Sequence, residues 1–266
     1  MKRIVPGLLI AGLWLLLLLI GTAPMFNLVI LAIILIGANE YIRMALDSII
    51  SPVDRYILDC IIGLPAVVAC FLPVQSSLLP AFLLSFAFAV CYFLYRYRLL
   101  EDCYSIMSRV VMGVFYVGIL GAHLILLRAL PEGASWILIA SAITASSDSG
   151  AYFAGKRFGK NKLCPNISPN KTVEGAIGGL FCAILASVGF AILLLPSFNY
   201  LPLITITVLL TGFGIAGDLT ESIIKRGTGT KDSGRCLAGH GGILDRVDSL
   251  LFVAPVLYYF LIFSVV

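Results

Sequence analysis

Long apolar runs recur along the chain, broken by short polar junctions and by two longer polar segments, 155–174 and 218–248. Runs of about 20 apolar residues suit helices that cross a bilayer. The pattern predicts about nine of them, at approximately 5–23, 26–42, 56–74, 77–95, 110–130, 134–154, 175–196, 201–217 and 249–264. The second has the shortest apolar core. A chain that crosses repeatedly with runs this long must satisfy its backbone as helix rather than barrel. The expected fold is an all-α integral membrane protein, a polytopic helical bundle.

Composition strengthens this reading. Of 266 residues, 60% are hydrophobic and 12% charged, half the charge of an average soluble domain. The first run follows Met1-Lys2-Arg3 and ends at Gly21-Thr22-Ala23. Its length exceeds the apolar core of a cleaved signal, so a retained span is expected. Placing the N-terminus inside puts every basic residue except Arg128 at cytoplasmic ends, as positive charge prefers. The net charge of +4 is thus an expected property of one face, suited to anionic lipids or phosphorylated solutes. The seven cysteines form no CxxC pair, which argues against a disulfide framework or a zinc site. The chain reads as a single polytopic domain, 1–266. Its N-terminal spans occupy 1–135, and a chemistry-bearing half, 136–266, holds the polar segments 155–174 and 218–248.

The polar residues of that second half are ordered. Asp148, in TASSDSGAYFAGKRFGK, falls inside or at the end of a span, where an ionisable group is costly. Neighbouring hydroxyls could satisfy it without further use. In SPNKTVEG, Pro169 restricts Ser168, Thr172 is placed to cap the following helix, and Lys171 stands beside its N-terminus, an arrangement that favours anions. In GDLTESIIKRGTGTKDSG, Asp218, Glu221, Ser222 and Lys225 share one helical face. A Glu221 to Lys225 surface pair would explain part of this. Asp218 follows an apolar run directly and resists that account. In GHGGILDRVDS, glycines precede a helix start whose Asp245 and Asp248 are three residues apart. Acids at a helix N-terminus are favoured by its dipole, which could account for one of them. Asp218, Asp245 and Asp248 together offer hard oxygen ligands with no thiolate or imidazole competing, a set that suits Mg²⁺ and phosphate. With Lys and Arg interleaved, they point to phosphoryl or nucleotidyl transfer at a membrane surface.

SIIKRGTGTKDSGRCLAGHGGILDRVDS, residues 222–249, resembles the signature of the phosphatidate cytidylyltransferases, or CDP-diacylglycerol synthases. Ser222, Lys225-Arg226, Lys231-Asp232, Gly239-His240-Gly241-Gly242, Asp245-Arg246 and Asp248 agree in order and spacing. DSGAYFAGKRFGK and ISPNKTVEG are similar to family segments too, so the likeness runs from about residue 140 to 250. Asn170 departs from it, where Lys would be expected.

The resemblance implies transfer of CMP from CTP to phosphatidic acid, giving CDP-diacylglycerol and pyrophosphate for phospholipid biosynthesis. It also implies a homodimer in the cell (inner) membrane with a cytoplasmic active site, and a magnesium-containing centre that admits a second, monovalent cation such as K⁺. No nucleic acid partner is expected. On this reading Asp218, Asp245 and Asp248 hold Mg²⁺, with Asp148 as a further ligand or a support to one. Lys225 joins the catalytic groups, and Lys171, Ser222, Arg226, Lys231, His240 and Arg246 bind substrate phosphates. A CTP-dependent lipid-alcohol kinase and an anion transporter are the alternatives. CDP-alcohol phosphotransferases fit less well, because their D-x₃-D closing pair is replaced by D-x₂-D.

Overall fold

The structure is a computed structural model that describes residues 4–46, 49–196, 199–234 and 241–264. Each of the nine expected spans is helical. In chain order they are α1 (Ile4–Ile20), α2 (Ala23–Leu46), α3 (Pro52–Phe71), α4 (Leu78–Arg96), the continuous α5 (Cys103–Gly113), π segment (Val114–Ile119) and α6 (Leu120–Ala129), α7 (Gly133–Phe158), α8 (Val173–Leu194), α9 (Tyr200–Gly227) and α10 (Leu244–Ser264). Six of these are long and apolar enough to cross a membrane: α2, α4 with its preceding turn, α5 to α6, α8, α9 and α10. Large apolar side chains such as Phe71, Leu94 and Leu193 stand exposed along the helices, as a lipid solvent allows. The protein is a multi-pass membrane protein.

The chain divides into two compact units, residues 1–130 with 227–246, and residues 131–226 with 247–266. In the first unit, helix packing is pinned by buried polar contacts. Asp54, which also bonds the Ser51 cap of α3, pairs with Arg96. The Asn39 side-chain amide donates to Asp59 at 2.6 Å, and the Tyr41 hydroxyl donates to the Arg109 carbonyl at 2.8 Å. The π segment lies where α3 comes closest: a Cβ on Gly118 would stand 2.2 Å from the Ile62 carbonyl oxygen.

The second unit is built on small residues. The buried positions of α8 are Gly175, Gly179, Ala183, Ser187 and Ala191, each four residues after the last, so one face carries no bulk. That face meets α7, and a Cβ on Gly179 would lie 2.7 Å from the Ser147 carbonyl oxygen. Between α7 and α8 the polar segment is a short antiparallel hairpin, β1 (Lys162–Cys164) and β2 (Ser168–Thr172), with Lys162 opposite Thr172. The expected 155–174 loop is therefore partly ordered: α7 runs on to Phe158, and the hairpin takes up most of the rest. Glu174 secures the turn after α7 by accepting from the Lys160 and Asn161 amides at 3.0 and 3.2 Å.

Candidate active site

Thr172 is the N-cap of α8, its hydroxyl accepting from the Gly175 amide at 3.1 Å. That cap fixes the end of β2, and with it Lys171, whose ammonium pairs with the carboxylate of Asp218 on α9. Helix α9 does not stop at the end of its apolar run but continues to Gly227, so Asp218, Glu221 and Lys225 share one face. Lys225 meets the Glu221 carboxylate at 2.7 Å. Asp248, one turn into α10, is brought in by close helix packing: a Cβ on Gly217 would stand 2.6 Å from the Asp248 carbonyl oxygen.

The result is a cluster of three acids. Asp218, Glu221 and Asp248 place carboxylate oxygens within 4.8 Å of one another. Glu221 and Asp248 are buried, and Asp218 is partly exposed, so the cluster opens on its Asp218 side. Asp248 accepts from the Ser249 amide at 2.6 Å. Asp148 on α7, Asp218 and Lys225 all act electrostatically on Asp248. Asp148 also lines a small cavity of about 10 Å³ with mixed walls, polar at Ser147, Thr211 and Ser249 and apolar at Ile143, Leu210 and Ile215, roughly the space of one water.

Three carboxylates this close repel one another when ionised. Two lysines offset two of the three charges, and a hard divalent cation would more than offset the third. The donors are all oxygen, which fits Mg²⁺, an ion that takes one or two carboxylates and completes its shell with water and phosphate. Lys171 and Lys225, both partly exposed, pair with these acids, which fits a phosphate arriving beside such an ion.

The remaining sequence-predicted residues fall in several places. Ser222, partly exposed, and Arg226, exposed, continue α9 from the acid cluster. Lys231, Asp245 and Arg246 belong to the first unit, with Lys231 and Arg246 exposed. Asp245 is occupied with backbone: its carboxylate accepts from the Ser233 amide at 3.1 Å and the Gly242 amide at 2.7 Å. Gly241, at φ +79°, makes the turn that permits this. His240 lies outside the described residues. Two residues escaped the sequence reading. Glu221 looked like half of a surface pair, yet it is 1% exposed and faces the other acids as well as Lys225. Glu40, buried in α2, also passed unnoticed, since Asn39 and Arg43 beside it read as the polar end of a span.

Comparison with known proteins decides the family. The profile of the cytidylyltransferase family matches residues 1–264. The chain belongs to this family. A phosphatidate cytidylyltransferase of Bacillus subtilis (strain 168) is 38% identical over 267 aligned residues, which cover 98% of this chain and 97% of that protein. Phosphatidate cytidylyltransferases of Staphylococcus aureus (strain COL) and Staphylococcus saprophyticus are 48% and 47% identical over 154 residues, covering 58% and 57% of this chain and 58% of each relative. The protein is a membrane-embedded nucleotidyltransferase, and its acid cluster and lysines are a fitting place for a cytidylyltransferase to handle a nucleoside triphosphate.

Proposed function

We propose that the protein transfers CMP from CTP to phosphatidic acid, producing CDP-diacylglycerol and pyrophosphate at the cytoplasmic face of the cell membrane. One observation supports this most: Asp218, Glu221 and Asp248 gather within 4.8 Å, with Lys171 and Lys225 paired to them, inside a multi-pass membrane protein. A triphosphate comes from water and a lipid phosphate from the bilayer, so such a site serves both. The relatives' name supplies the acceptor.

In this reaction a non-bridging oxygen of the lipid phosphate forms a bond to the α-phosphorus of CTP. The bond from that phosphorus to the oxygen bridging the β-phosphate breaks, and the electron pair leaves with pyrophosphate. Asp218, Glu221 and Asp248 would hold Mg²⁺, which supplies Lewis-acid neutralisation of phosphate charge. Lys171 and Lys225 rest on these carboxylates and can pass to phosphate oxygens as substrate enters, keeping the site near neutral. Asp148 on α7 adds a further negative charge near Asp248, which a cation in the cluster would also offset. Ser222 and Arg226 follow on the same helix, available to further phosphate oxygens. A phosphate monoester has a second pKa near ~6 and is largely dianionic at neutral pH, so the nucleophile needs no general base. Positioning and charge neutralisation do the chemistry.

The decisive assay uses purified protein, Mg²⁺ and CTP labelled at the α-phosphate, with phosphatidic acid or diacylglycerol as acceptor. Label should enter lipid only with phosphatidic acid. Transfer of the γ-phosphate to diacylglycerol would instead establish a kinase. The expectation of a homodimer is tested separately, by the mass of the detergent-solubilised protein.

A further inference from the structure

Glu40 sits in the C-terminal part of α2, between Asn39 and Tyr41, and is 3% exposed. Burying a carboxylate is costly unless its oxygens are satisfied. Here both oxygens are, by a segment about two hundred positions away in sequence. One oxygen accepts from the Ile243 amide at 3.0 Å, and the other from the Leu244 amide at 2.9 Å and the Ser233 hydroxyl at 3.2 Å. Ile243 and Leu244 carry the first backbone donors of α10, which have no partner within their own helix. The charge of Glu40 thus meets the positive end of that helix.

The surroundings are shaped to this carboxylate. A Cβ on Gly234 would stand 2.3 Å from one Glu40 oxygen, and a Cβ on Gly242 would stand 2.4 Å from the other. The Ser233 hydroxyl that donates to Glu40 accepts in turn from the Asp245 amide at 3.3 Å. The Asp245 carboxylate returns to the Ser233 and Gly242 amides. Glu40 and Asp245 therefore clamp the same turn from two sides, one across the fold and one locally.

We infer that Glu40 is a positioning residue for nucleotidyl transfer: its carboxylate fixes the entry of α10, and so the register of the turn and of the helix that carries Asp248. This inference rests on the proposed function. Groups that orient a metal ligand without touching the metal typically change affinity or activity by about 10- to 100-fold when lost. Glutamine keeps the shape of Glu40 but puts an NH₂ where a donor already points, leaving one of the three donors without an acceptor.

The test compares wild type, Glu40→Gln and Glu40→Asp in detergent or nanodiscs by CMP transfer from CTP to phosphatidic acid, by Mg²⁺ dependence, and by hydrogen exchange of the Ile243 and Leu244 amides. Glu40→Gln should lower kcat/KM by about 10- to 100-fold, raise the Mg²⁺ needed for half-maximal rate, and speed exchange at those two amides. Glu40→Asp, which keeps the charge, should recover part of each. Wild-type turnover with wild-type exchange in Glu40→Gln overturns the inference. So does lost turnover with exchange at Ile243 and Leu244 unchanged. If Glu40→Gln does not fold, Ser233→Ala removes one donor and should shift all three readouts in the same direction; no shift there overturns the inference as well. Inactive wild-type protein would sink the proposed reaction instead, while the exchange data would still report whether Glu40 holds the turn.

Discussion

The ammonium of Lys171 is paired with the carboxylate of Asp218, joining the β-hairpin to the face of α9 that carries the acid cluster. Lys171 therefore has two partners to choose from, the acid it now holds and the phosphate it would hold. Lys171→Ala should move the two ligands in opposite directions. Mg²⁺ affinity without nucleotide should rise, because Asp218 loses a competing cation. The KM for CTP should rise several-fold as a phosphate contact is lost. A fall in Mg²⁺ affinity would show that Lys171 organises the acids rather than competing for them.

Replacing Asp248 with Asn keeps the shape of a buried side chain while removing charge from the centre of the cluster. Loss of a metal-held interaction in the transition state typically amounts to several kcal/mol, and each 1.36 kcal/mol is about tenfold in rate. Turnover in Asp248→Asn should therefore fall at least ~1000-fold with the helical content intact. Glu221→Gln should behave similarly, which a role confined to a surface pair with Lys225 would not produce.

Asp245→Asn is expected to differ. Its carboxylate serves the Ser233 and Gly242 amides, so one weakened acceptor should lower thermal stability by about 1–3 kcal/mol. The melting temperature measured with and without Mg²⁺ checks this. A stability loss of the same size under both conditions fits the turn-holding role; a loss confined to the Mg²⁺-bound protein would make Asp245 a ligand.

Much of this was legible in the sequence, because membrane-length helices need apolar runs and little else. The nine expected spans were placed that way, and the Thr172 cap followed from a hydroxyl ahead of an apolar run. The hairpin was missed because Pro169 and the Gly and Asn residues around it read as loop, and a two-stranded ribbon has no apolar face to announce itself. The glycine and alanine face of α8 was missed because apolar counting does not separate small residues from large ones, although packing does. Glu40 and the burial of Glu221 depend on partners far away or on neighbouring helices, which helical spacing along one segment cannot reveal.

Gly217 offers a test of how the acids are brought together. A Cβ there would stand 2.6 Å from the Asp248 carbonyl oxygen, so Gly217→Ala must move α9 away from α10. Overpacking of this kind typically costs about 1–3 kcal/mol, and the activity loss should exceed the stability loss because Asp218 is the next residue. Equal activity and unchanged melting would mean that the two helices approach less closely.

The orientation rests on positive charge, and Cys164 in the hairpin reports it. A membrane-impermeant thiol reagent should label Cys164 only after sealed cells are opened, in a variant with the other cysteines replaced. Labelling in intact cells would reverse the topology and place the basic hairpin outside.

The central claim is that Asp218, Glu221 and Asp248 hold the catalytic cation, and direct metal binding tests it without relying on turnover. Mn²⁺ titrated into the purified protein and followed by electron paramagnetic resonance should show a tight site in wild type. Asp248→Asn and Glu221→Gln should each weaken that site at least tenfold, while Mg²⁺ should displace Mn²⁺ from wild type. Undiminished Mn²⁺ binding in both variants would contradict the account.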